Sequence, residues 1–498
     1  MFIYGGFYLW GRLTGLFHDS TDFLIRFAVH RADFVLLGRL LSAAFAVGAI
    51  AFQWRLAKRL FDERVAFIAG LALLFCYPIV FYSHLAANIT LVAFLASLAG
   101  CGVEAIWRRG RAIDYLATGA VIGVAIGAKY YPGLLLLSAL IAHWMRLSSA
   151  GVFSEWRKLA LLFTAMLLFT VVSFPVPFLA HHAWRQSLLD TLAYYHGGNP
   201  LMNGWRLIAG NPRAWSEITS EPIAWWSNSL RTVGAIGLLW IGFGLLWGAR
   251  RFGRITLLLA SPVLTLFVYQ SLRGGLLLGA RQLYFGLPLF WILAAAALVD
   301  AIERSTLMNK QRAIAVVAGA LLIQPISFTA RYLRLASRPT TIDLARDWVG
   351  KNVPVDSVLI IDMWEAPFAN QVGWREGRGA NAPLAGDTLG RIAAARAAAA
   401  PPYRIREFSY GDADRELDRA LDEGRPVYSI TSLGAYWTPE SLAQWGLPDD
   451  EVAAARRRFQ RRVAERGTPL LRIVPREVSA LGPDVTIARV HRGDAAAK

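Results

Sequence analysis

Ten apolar runs, each close to the 20 residues that a helix needs to cross a bilayer, fill the first two thirds of this 498-residue chain. Segments of this length can span lipid because a helix satisfies its own backbone polar groups. The pattern therefore predicts a polytopic α-helical membrane protein with about ten transmembrane helices. The predicted spans lie at residues 35–54, 65–82, 86–106, 114–130, 131–146, 159–179, 229–248, 255–271, 283–302 and 312–330.

The excess positive charge of the chain lies entirely in its apolar part. Lysine and arginine number 52 against 35 aspartate and glutamate, a formal net charge of +17. Residues 1–338 hold 30 basic and 13 acidic side chains, whereas residues 339–498 hold 22 of each. A basic nucleic-acid domain is therefore not expected, and neither is a nucleic-acid partner. Only two cysteines are present, which excludes a disulfide framework.

Every second loop between the predicted spans is rich in lysine or arginine, and this alternation predicts the orientation of the chain. Sixteen basic residues occupy these loops, and the shorter loops between them hold Lys129, Arg273 and Arg281. The positive-inside rule assigns the first set to the cytoplasm of a multi-pass protein of the inner (cytoplasmic) membrane. The sixteen are Arg55, Lys58, Arg59, Arg64, Arg108, Arg109, Arg111, Arg146, Arg157, Lys158, Arg250, Arg251, Arg254, Arg304, Lys310 and Arg312.

This orientation predicts three regions. Residues 1–34 form an outer-face loop with an amphipathic aromatic remnant, and residues 35–335 form the transmembrane domain with an outer loop at 180–228. Residues 338–498 form an extracytoplasmic α/β domain, because helix-like and strand-like segments alternate there. Helices are expected at 343–352, 388–399 and 449–466, and strands at 358–362, 404–408, 427–431, 470–474 and 485–490.

Polar and ionisable side chains collect at the outer ends of the predicted spans. Arginine and lysine there suit an anionic, phosphate-bearing lipid head, since arginine offers a fork and lysine a point charge to phosphate oxygens. Lys129 also suits a purely structural role at the end of a helix, and His84 that of an interfacial residue. We expect Lys129, Arg281 and Arg39 to bind the phosphate. The residues expected to line the cavity are Tyr82, His84, Asn88, Tyr130 and Tyr284.

Other signals are weaker. Gly119, Gly123 and Gly127 form a small-residue ladder, which in an apolar helix predicts close helix packing. The predicted outer loop holds His181, His182, Asp190 and His196, but their spacing fits no zinc motif, and no metal site is predicted. Five tryptophans of the same loop suit either stacking on sugar rings or an interfacial belt: Trp184, Trp205, Trp215, Trp225 and Trp226.

Several segments resemble the polyprenyl-phosphate-sugar glycosyltransferases of the GT-C fold. This group includes the family-39-like, Rgt-type and dolichyl-phosphate-mannose protein mannosyltransferase-like enzymes. The resemblance rests on the order of the segments and on the topology, since no single motif decides it. The segments are Gly38–Leu95, Ala125–Leu137 (AIGAKYYPGLLLL), Ser173–Gly198, Arg281–Ala295 (RQLYFGLPLFWILAA) and Thr341–Ile360.

The resemblance implies transfer of a sugar from an outward-facing polyprenyl phosphate to an envelope glycan, lipid or protein. Such a reaction needs an acidic base near the acceptor hydroxyl. In the family that acid follows the first span, and residues 1–10 of this chain resemble the stretch just downstream of it. Either this aromatic stretch inserts unaided, or a first helix with the acidic motif precedes Met1, and the second alternative is favoured. The second acidic position is filled by Asn88 and Ile89. No catalytic residue is assigned, no cofactor is expected, and a divalent cation stays an open requirement.

Two other classes remain open from the sequence. A non-catalytic homologue would bind the lipid-linked sugar or scaffold envelope assembly without transferring it. A multi-span transporter would need ionisable groups near the middle of the membrane, where this sequence has few.

Overall fold

The computed structural model describes residues 2–29, 31–147, 155–174, 230, 233–273, 284–362, 391, 403–407, 413–431, 451–475 and 484–492. They form two compact units, one of residues 35–331 and one of residues 1–34 with 332–498. The helices in chain order are α1 (Phe2–Leu13), α2 (Ser20–Val29), α3 (Arg31–Leu60), α4 (Glu63–Leu74), α5 (Tyr77–Ser83), α6 (Ile89–Arg108), α7 (Ala112–Ala128), α8 (Leu135–Arg146), α9 (Trp156–Ser173), α10 (Ala235–Arg251), α11 (Gly253–Arg273), α12 (Leu287–Glu303), α13 (Lys310–Ala336) and α14 (Thr341–Asn352).

Residues 35–331 form a bundle in which each of the ten predicted spans coincides with a helix or a pair of helices. Five described helices are long and apolar enough to cross a membrane, and α4 with α5 adds a sixth as one bent span. Large apolar side chains such as Leu40, Leu168 and Ile323 are exposed on the outer helices, as expected for surfaces that face lipid. The predicted class, a polytopic helical membrane protein with a C-terminal α/β domain, is confirmed.

The span predicted at residues 65–82 is not one straight helix. α4 ends at Leu74 and α5 begins at Tyr77, with an angle of 57° between them. Pro78 occupies the first turn of α5, where its missing N–H costs no helical hydrogen bond, so it suits the start of a new helix at this point. The hydroxyl of Thr329 on α13 donates to the backbone oxygen of Phe75 in the break, at 2.9 Å. A carbonyl that the break leaves open is thereby satisfied.

α12 is the central helix of this bundle. Its side chains are buried along most of its length, including Trp291, and a helix that is apolar all round belongs inside a bundle. Trp240 on α10 donates its indole N–H to the backbone oxygen of Ala294, at 2.9 Å. Gly244 on α10 lies against the backbone of the same residue, where a Cβ would come within 2.6 Å of its atoms. Small residues therefore set how closely α10 approaches α12.

The C-terminal residues form a five-stranded sheet, as the alternating pattern predicts. Its strands lie in the order β2-β1-β3-β5-β4, with β1 parallel to both β2 and β3, and β5 antiparallel to both β3 and β4. Two further helices of the described residues, α15 (Ala413–Asp422) and α16 (Glu451–Arg466), belong to this region. The strands are β1 (Val358–Asp362), β2 (Arg404–Glu407), β3 (Val427–Thr431), β4 (Gly467–Ile473) and β5 (Val485–Val490).

The apolar run of β1 is explained by helices on both faces of the sheet. Val358 and Ile360 point to one core together with Phe459 of α16. Leu359 and Ile361 point to the other core, where α14 packs. Because side chains alternate along a strand, a strand covered on both faces must be apolar throughout.

Some boundaries differ from the sequence prediction. Residues 1–34, predicted as a loop with an amphipathic stretch, contain the helices α1 and α2. The strand expected at 470–474 begins earlier, at Gly467, and carries an irregularity between Pro469 and Leu471. The helix predicted at 388–399 lies outside the described residues except for Arg391, and the predicted outer loop at 180–228 lies outside them entirely.

Replacing Asp343 with alanine is expected to loosen α14. Thr340 and Asp343 form a capping box: the amide of Asp343 donates to the hydroxyl of Thr340, at 3.1 Å, and the amide of Thr340 donates to the Asp343 carboxylate, at 3.0 Å. Loss of such a cap costs about 1 kcal/mol. Hydrogen exchange of the α14 amides should therefore speed up about fivefold. Asp347→Ala, an exposed position on the same helix, is the control, and equal exchange in the two variants would contradict the role of the cap.

Candidate functional site

The five loops that are rich in lysine or arginine, which connect helices of residues 35–331, lie together at one end of the bundle. We call this end the basic end. Each of these loops contacts at least one of the other four through a side chain or a backbone oxygen. Helix packing therefore brings the five loops to the same end of the bundle, as the sequence pattern predicts. The contacts are Arg59–Glu104 at 3.2 Å, Arg64–Glu303 at 2.7 Å, Lys158 Nζ to the Gly110 oxygen at 2.8 Å, and the Phe61 and Phe252 rings at 5.0 Å.

The opposite end of the bundle, which we call the tyrosine end, collects most of the residues predicted to form the site. The ring of Tyr82, at the end of α5, lies 6.0 Å from the ring of Tyr284, which precedes α12. The side-chain amide of Asn88 donates to the backbone oxygen of Ala128 at the end of α7, at 2.9 Å. Three segments far apart in sequence therefore meet at one place.

The turn between α5 and α6 is held by its own polar groups. Ring nitrogen Nδ1 of His84 lies 2.8 Å from the backbone oxygen of Val80. A carbonyl oxygen only accepts, so Nδ1 is the donor in this contact. The hydroxyl of Ser42 on α3 donates to the backbone oxygen of Ala87, at 3.1 Å, and ties the turn to α3.

Lys129 and Tyr130 extend beyond the end of α7. Lys129 adopts an extended backbone (φ −159°, ψ 145°), and a 3-10 helix of residues Tyr131–Leu134 follows it. Both Lys129 and Tyr130 are exposed, whereas Tyr131 is buried with its ring 5.6 Å from that of Phe285. The chain thus anchors Tyr131 in the core and presents the two preceding side chains at the tyrosine end.

Arg39 lies on α3 three residues before Ser42, about one helical turn away, and its side chain is exposed. Because Ser42 contacts the α5–α6 turn, Arg39 lies near the level of that turn. Arg281 lies outside the described residues, so its place in the site stays a prediction. The sequence did not single out Ser42, and it did not assign Tyr131 to the site although Tyr131 follows Lys129 and Tyr130 at the end of a predicted span. The spacing of Ser42 from Arg39 and the position of Tyr131 before Pro132 are the signals that could have found them.

Carboxylates and cations are segregated between the two ends. Every described carboxylate of residues 35–331 lies at the basic end, while the cations at the described tyrosine end include Arg39 and Lys129. The carboxylates at the basic end are Asp62, Glu63, Glu104, Asp114, Glu155, Asp300 and Glu303. Arg39 and Lys129 therefore place positive charge at an end of the bundle whose described residues within 35–331 include no carboxylate, and positive charge attracts an anion such as a phosphate.

Three acids of the N-terminal segment are engaged in ion pairs. Asp33 pairs with Arg26 at 3.0 Å, and Asp22 and Asp19 pair with Arg391 at 3.1 and 3.7 Å. A hydrogen bond from the Asp22 amide lowers the pKa of Asp19 below its ordinary value, and the charge of Arg391 acts in the same direction. A carboxyl with a lowered pKa is a weaker proton acceptor, which argues against Asp19 as a general base.

No group of three or more histidine, cysteine, aspartate or glutamate side chains suited to a metal ion occurs in the part of the chain that the structure describes. The histidines and tryptophans of the predicted outer loop, at residues 181–226, lie outside that part.

Comparison with known proteins bears on the family. Residues 31–176 match the family model described as dolichyl-phosphate-mannose-protein mannosyltransferase. This segment contains the tyrosine-end residues Arg39 to Tyr131, so the resemblance predicted from the sequence is confirmed there. No curated protein sequence matches the chain.

The chain is also similar to several solved structures at low sequence identity. A crystal structure of ArnT from Cupriavidus metallidurans in the apo state is 16% identical, covers 91% of this chain and 83% of its own, and has a TM-score of 0.44. The structure of the same protein bound to undecaprenyl phosphate is 16% identical, with coverages of 91% and 84% and a TM-score of 0.38. The Archaeoglobus fulgidus oligosaccharyltransferase complex with Zn and sulfate is 12% identical, with coverages of 94% and 64% and a TM-score of 0.42.

Replacing Asn88 with alanine is expected to release the end of α7. The variant loses the hydrogen bond to the Ala128 oxygen, which is worth about 1 kcal/mol, and the amides of residues 129–133 should exchange faster with solvent. Asn352→Ala is the matched control, because its side-chain amide makes the same kind of bond, to the Trp348 oxygen at 2.8 Å, in the other unit. Unchanged exchange at 129–133 in Asn88→Ala would show that this bond does not hold the segment.

Proposed function

We propose that this protein is a membrane glycosyltransferase that moves a sugar from a polyprenyl-phosphate donor to an envelope glycan, lipid or protein acceptor. The match of residues 31–176 to a mannosyltransferase family model supports the reaction class. The donor's phosphate would bind at the tyrosine end, on the outer side of the membrane.

The observation that carries the proposal is the segregation of charge between the two ends of the bundle. A polyprenyl phosphate reaches its enzyme through the membrane and presents its phosphate at the membrane surface. The tyrosine end offers the exposed cations Lys129 and Arg39 at such a surface, and its tyrosines supply aromatic faces for a sugar. The described carboxylates of residues 35–331, which would repel a phosphate, are held in ion pairs at the other end.

Lys129, Arg39 and Arg281 are the residues we assign to the phosphate. During transfer the acceptor oxygen forms a bond to the anomeric carbon while the bond from that carbon to the phosphate oxygen breaks. The leaving phosphate takes the electron pair, and cations beside it stabilise the charge that develops. The acceptor's proton must pass to a base, which we do not assign to any described residue. Tyr82, His84, Asn88, Tyr130 and Tyr284 would surround the sugar or the acceptor.

The location follows from the same topology. The positive-inside rule would place the basic end in the cytoplasm of an inner-membrane protein. The tyrosine end and the C-terminal α/β domain would then lie on the extracytoplasmic side, where the donor is exposed.

A second candidate function is non-catalytic binding of the lipid-linked sugar. It is favoured by one observation, namely that the described tyrosine end contains no carboxylate to act as a base. The two functions predict the same donor affinity and differ only in turnover.

One pair of measurements separates the candidates. Purified protein in liposomes is given a radiolabelled polyprenyl-phosphate sugar, and bound donor and sugar transferred to membrane acceptors are measured separately. Binding with transfer supports the enzyme, binding without transfer supports the second candidate, and no binding contradicts both. Arg281→Ala should weaken donor binding, and unchanged binding would remove Arg281 from the site.

The orientation has its own test. Tyr130→Cys and Arg250→Cys place exposed thiols at the tyrosine end and the basic end, respectively. A membrane-impermeant maleimide added to intact cells should label only the first variant. Labelling of the second alone would reverse the proposed topology.

A further inference from the structure

A crevice of about 300 Å³ opens at the basic end between α3, α6 and α7, far from the proposed donor site. It has two zones along its length. Arginines and one carboxylate lie toward the ends of the helices, and apolar side chains lie deeper. The lining residues of the first zone are Arg55, Arg59, Arg109 and Asp114, and those of the second include Phe52, Leu98, Ala117 and Val121.

The zones are separated along the helix axes. From Phe52 to Arg59, α3 rises through seven residues, which is about 10 Å. Phe52, Leu98 and Val121 are each only half-buried, and Ala117 is exposed, so the apolar wall is open at its side. The crevice therefore joins a charged mouth to an open apolar wall, as a binding site for an amphiphile requires.

The charge around the mouth is not balanced. Glu104 is buried and pairs with Arg59 at 3.2 Å and Arg108 at 3.1 Å. Asp114 is buried and pairs with Arg109 at 2.7 Å. Arg55 lies within ion-pair distance of no described carboxylate, although it lines the crevice one turn deeper than Arg59. The mouth thus carries more positive than negative charge, and its acids are already engaged.

We propose that this crevice binds one anionic phospholipid of the adjacent leaflet. Its phosphate would lie among Arg55, Arg59 and Arg109, and one acyl chain would follow Phe52, Leu98 and Val121. Basic pockets between membrane helices suit anionic head groups, because arginine pairs with phosphate oxygens in a fork. The apolar wall favours a lipid over a free phosphate, which would leave that wall without a partner.

Native mass spectrometry of the purified full chain tests the proposal. It measures the affinity for dioleoylphosphatidylglycerol, with dioleoylphosphatidylcholine as the reference lipid. Arg55→Gln removes a charge that lies within ion-pair distance of no described carboxylate, so folding should be retained, and it should weaken phosphatidylglycerol binding about tenfold. Ala117→Phe fills the open apolar wall without changing charge and should weaken binding as well. Arg250→Gln, an exposed arginine at the basic end outside the crevice, is the control and should leave binding unchanged.

Three outcomes would overturn the proposal. Equal affinity for the two lipids would remove the preference for an anion, and equal binding in Arg55→Gln and Arg250→Gln would remove the crevice as its place. The third outcome is that inorganic phosphate displaces the lipid and binds the Ala117→Phe variant and the unmodified protein with equal affinity. This result would identify a site for a free anion instead of a lipid.

Discussion

Lys129→Ala is expected to weaken binding of the polyprenyl-phosphate donor by roughly 10- to 150-fold. A hydrogen bond between an ammonium group and a phosphate contributes about 1.5–3 kcal/mol, which corresponds to that range. The backbone around Lys129 is held by the Asn88 side chain and by the buried ring of Tyr131, neither of which the substitution touches. The change should therefore remove the charge and leave the site's shape. Titration of the purified variant and the unmodified protein with labelled donor measures the change in donor affinity.

Two further variants distinguish the proposed role from a structural one. Lys129→Arg keeps the charge and should retain most of the affinity, while Lys351→Ala removes an exposed lysine from the other unit and should have no effect. If Lys129 only complements the dipole of α7, its loss costs about 0.3–1 kcal/mol of stability and donor affinity stays unchanged. That result would withdraw Lys129 from the proposed site.

The helices of the bundle could be predicted from sequence because each is encoded locally. A long apolar run specifies a span wherever it occurs, and basic residues near its ends indicate which side they share. The break between α4 and α5 was missed, although Pro78 lies inside the run, because proline is tolerated in membrane helices. Whether a proline bends a span depends on what satisfies the freed backbone groups, and here the partner is Thr329, 254 residues away in sequence.

The candidate site could be predicted only in its residue types. Lys129, His84 and Asn88 stand out as polar side chains at the ends of apolar runs. Their mutual arrangement rests on contacts between distant segments, such as Asn88 with the end of α7, which no local pattern encodes. The role of Asn88 illustrates the limit, because the resemblance treated it as a substitute for an acid, while the structure uses its amide as a clamp.

The crevice at the basic end was missed for a different reason. In the sequence, its arginines served only to predict orientation. That prediction counts the basic residues of each loop and gives no information about which arginine pairs with which carboxylate. Glu104 and Asp114 each neutralise particular arginines, and only these pairings reveal that Arg55 has no described carboxylate within ion-pair distance. Sequence separation again sets the limit, since Arg59 and Glu104 are 45 residues apart.

The glycine ladder of α7 is a case in which a local pattern predicted a tertiary contact. A Cβ at Gly119 would lie 2.2 Å from the backbone oxygen of Leu162 on α9, and one at Gly123 would lie 2.4 Å from that of Met166. Neither oxygen can move without moving α9. Gly127 approaches α9 as well, at the side chain of Ser173. The ladder therefore lets α7 pack directly on the backbone of α9, as small residues do between membrane helices.

Gly119→Val is accordingly expected to destabilise the protein by about 3 kcal/mol or more, the upper part of the range for overpacking, and to lower the yield of folded protein. Because α7 leads into Lys129, separating it from α9 should also weaken donor binding. Gly242→Val on α10 is the matched control, since a Cβ there meets no atom within 4 Å. Thermal unfolding in detergent compares the two variants, and equal midpoints would mean that α7 and α9 do not pack through this ladder. Gly119→Ala should lie between the control and Gly119→Val, because its single methyl group already meets the Leu162 oxygen.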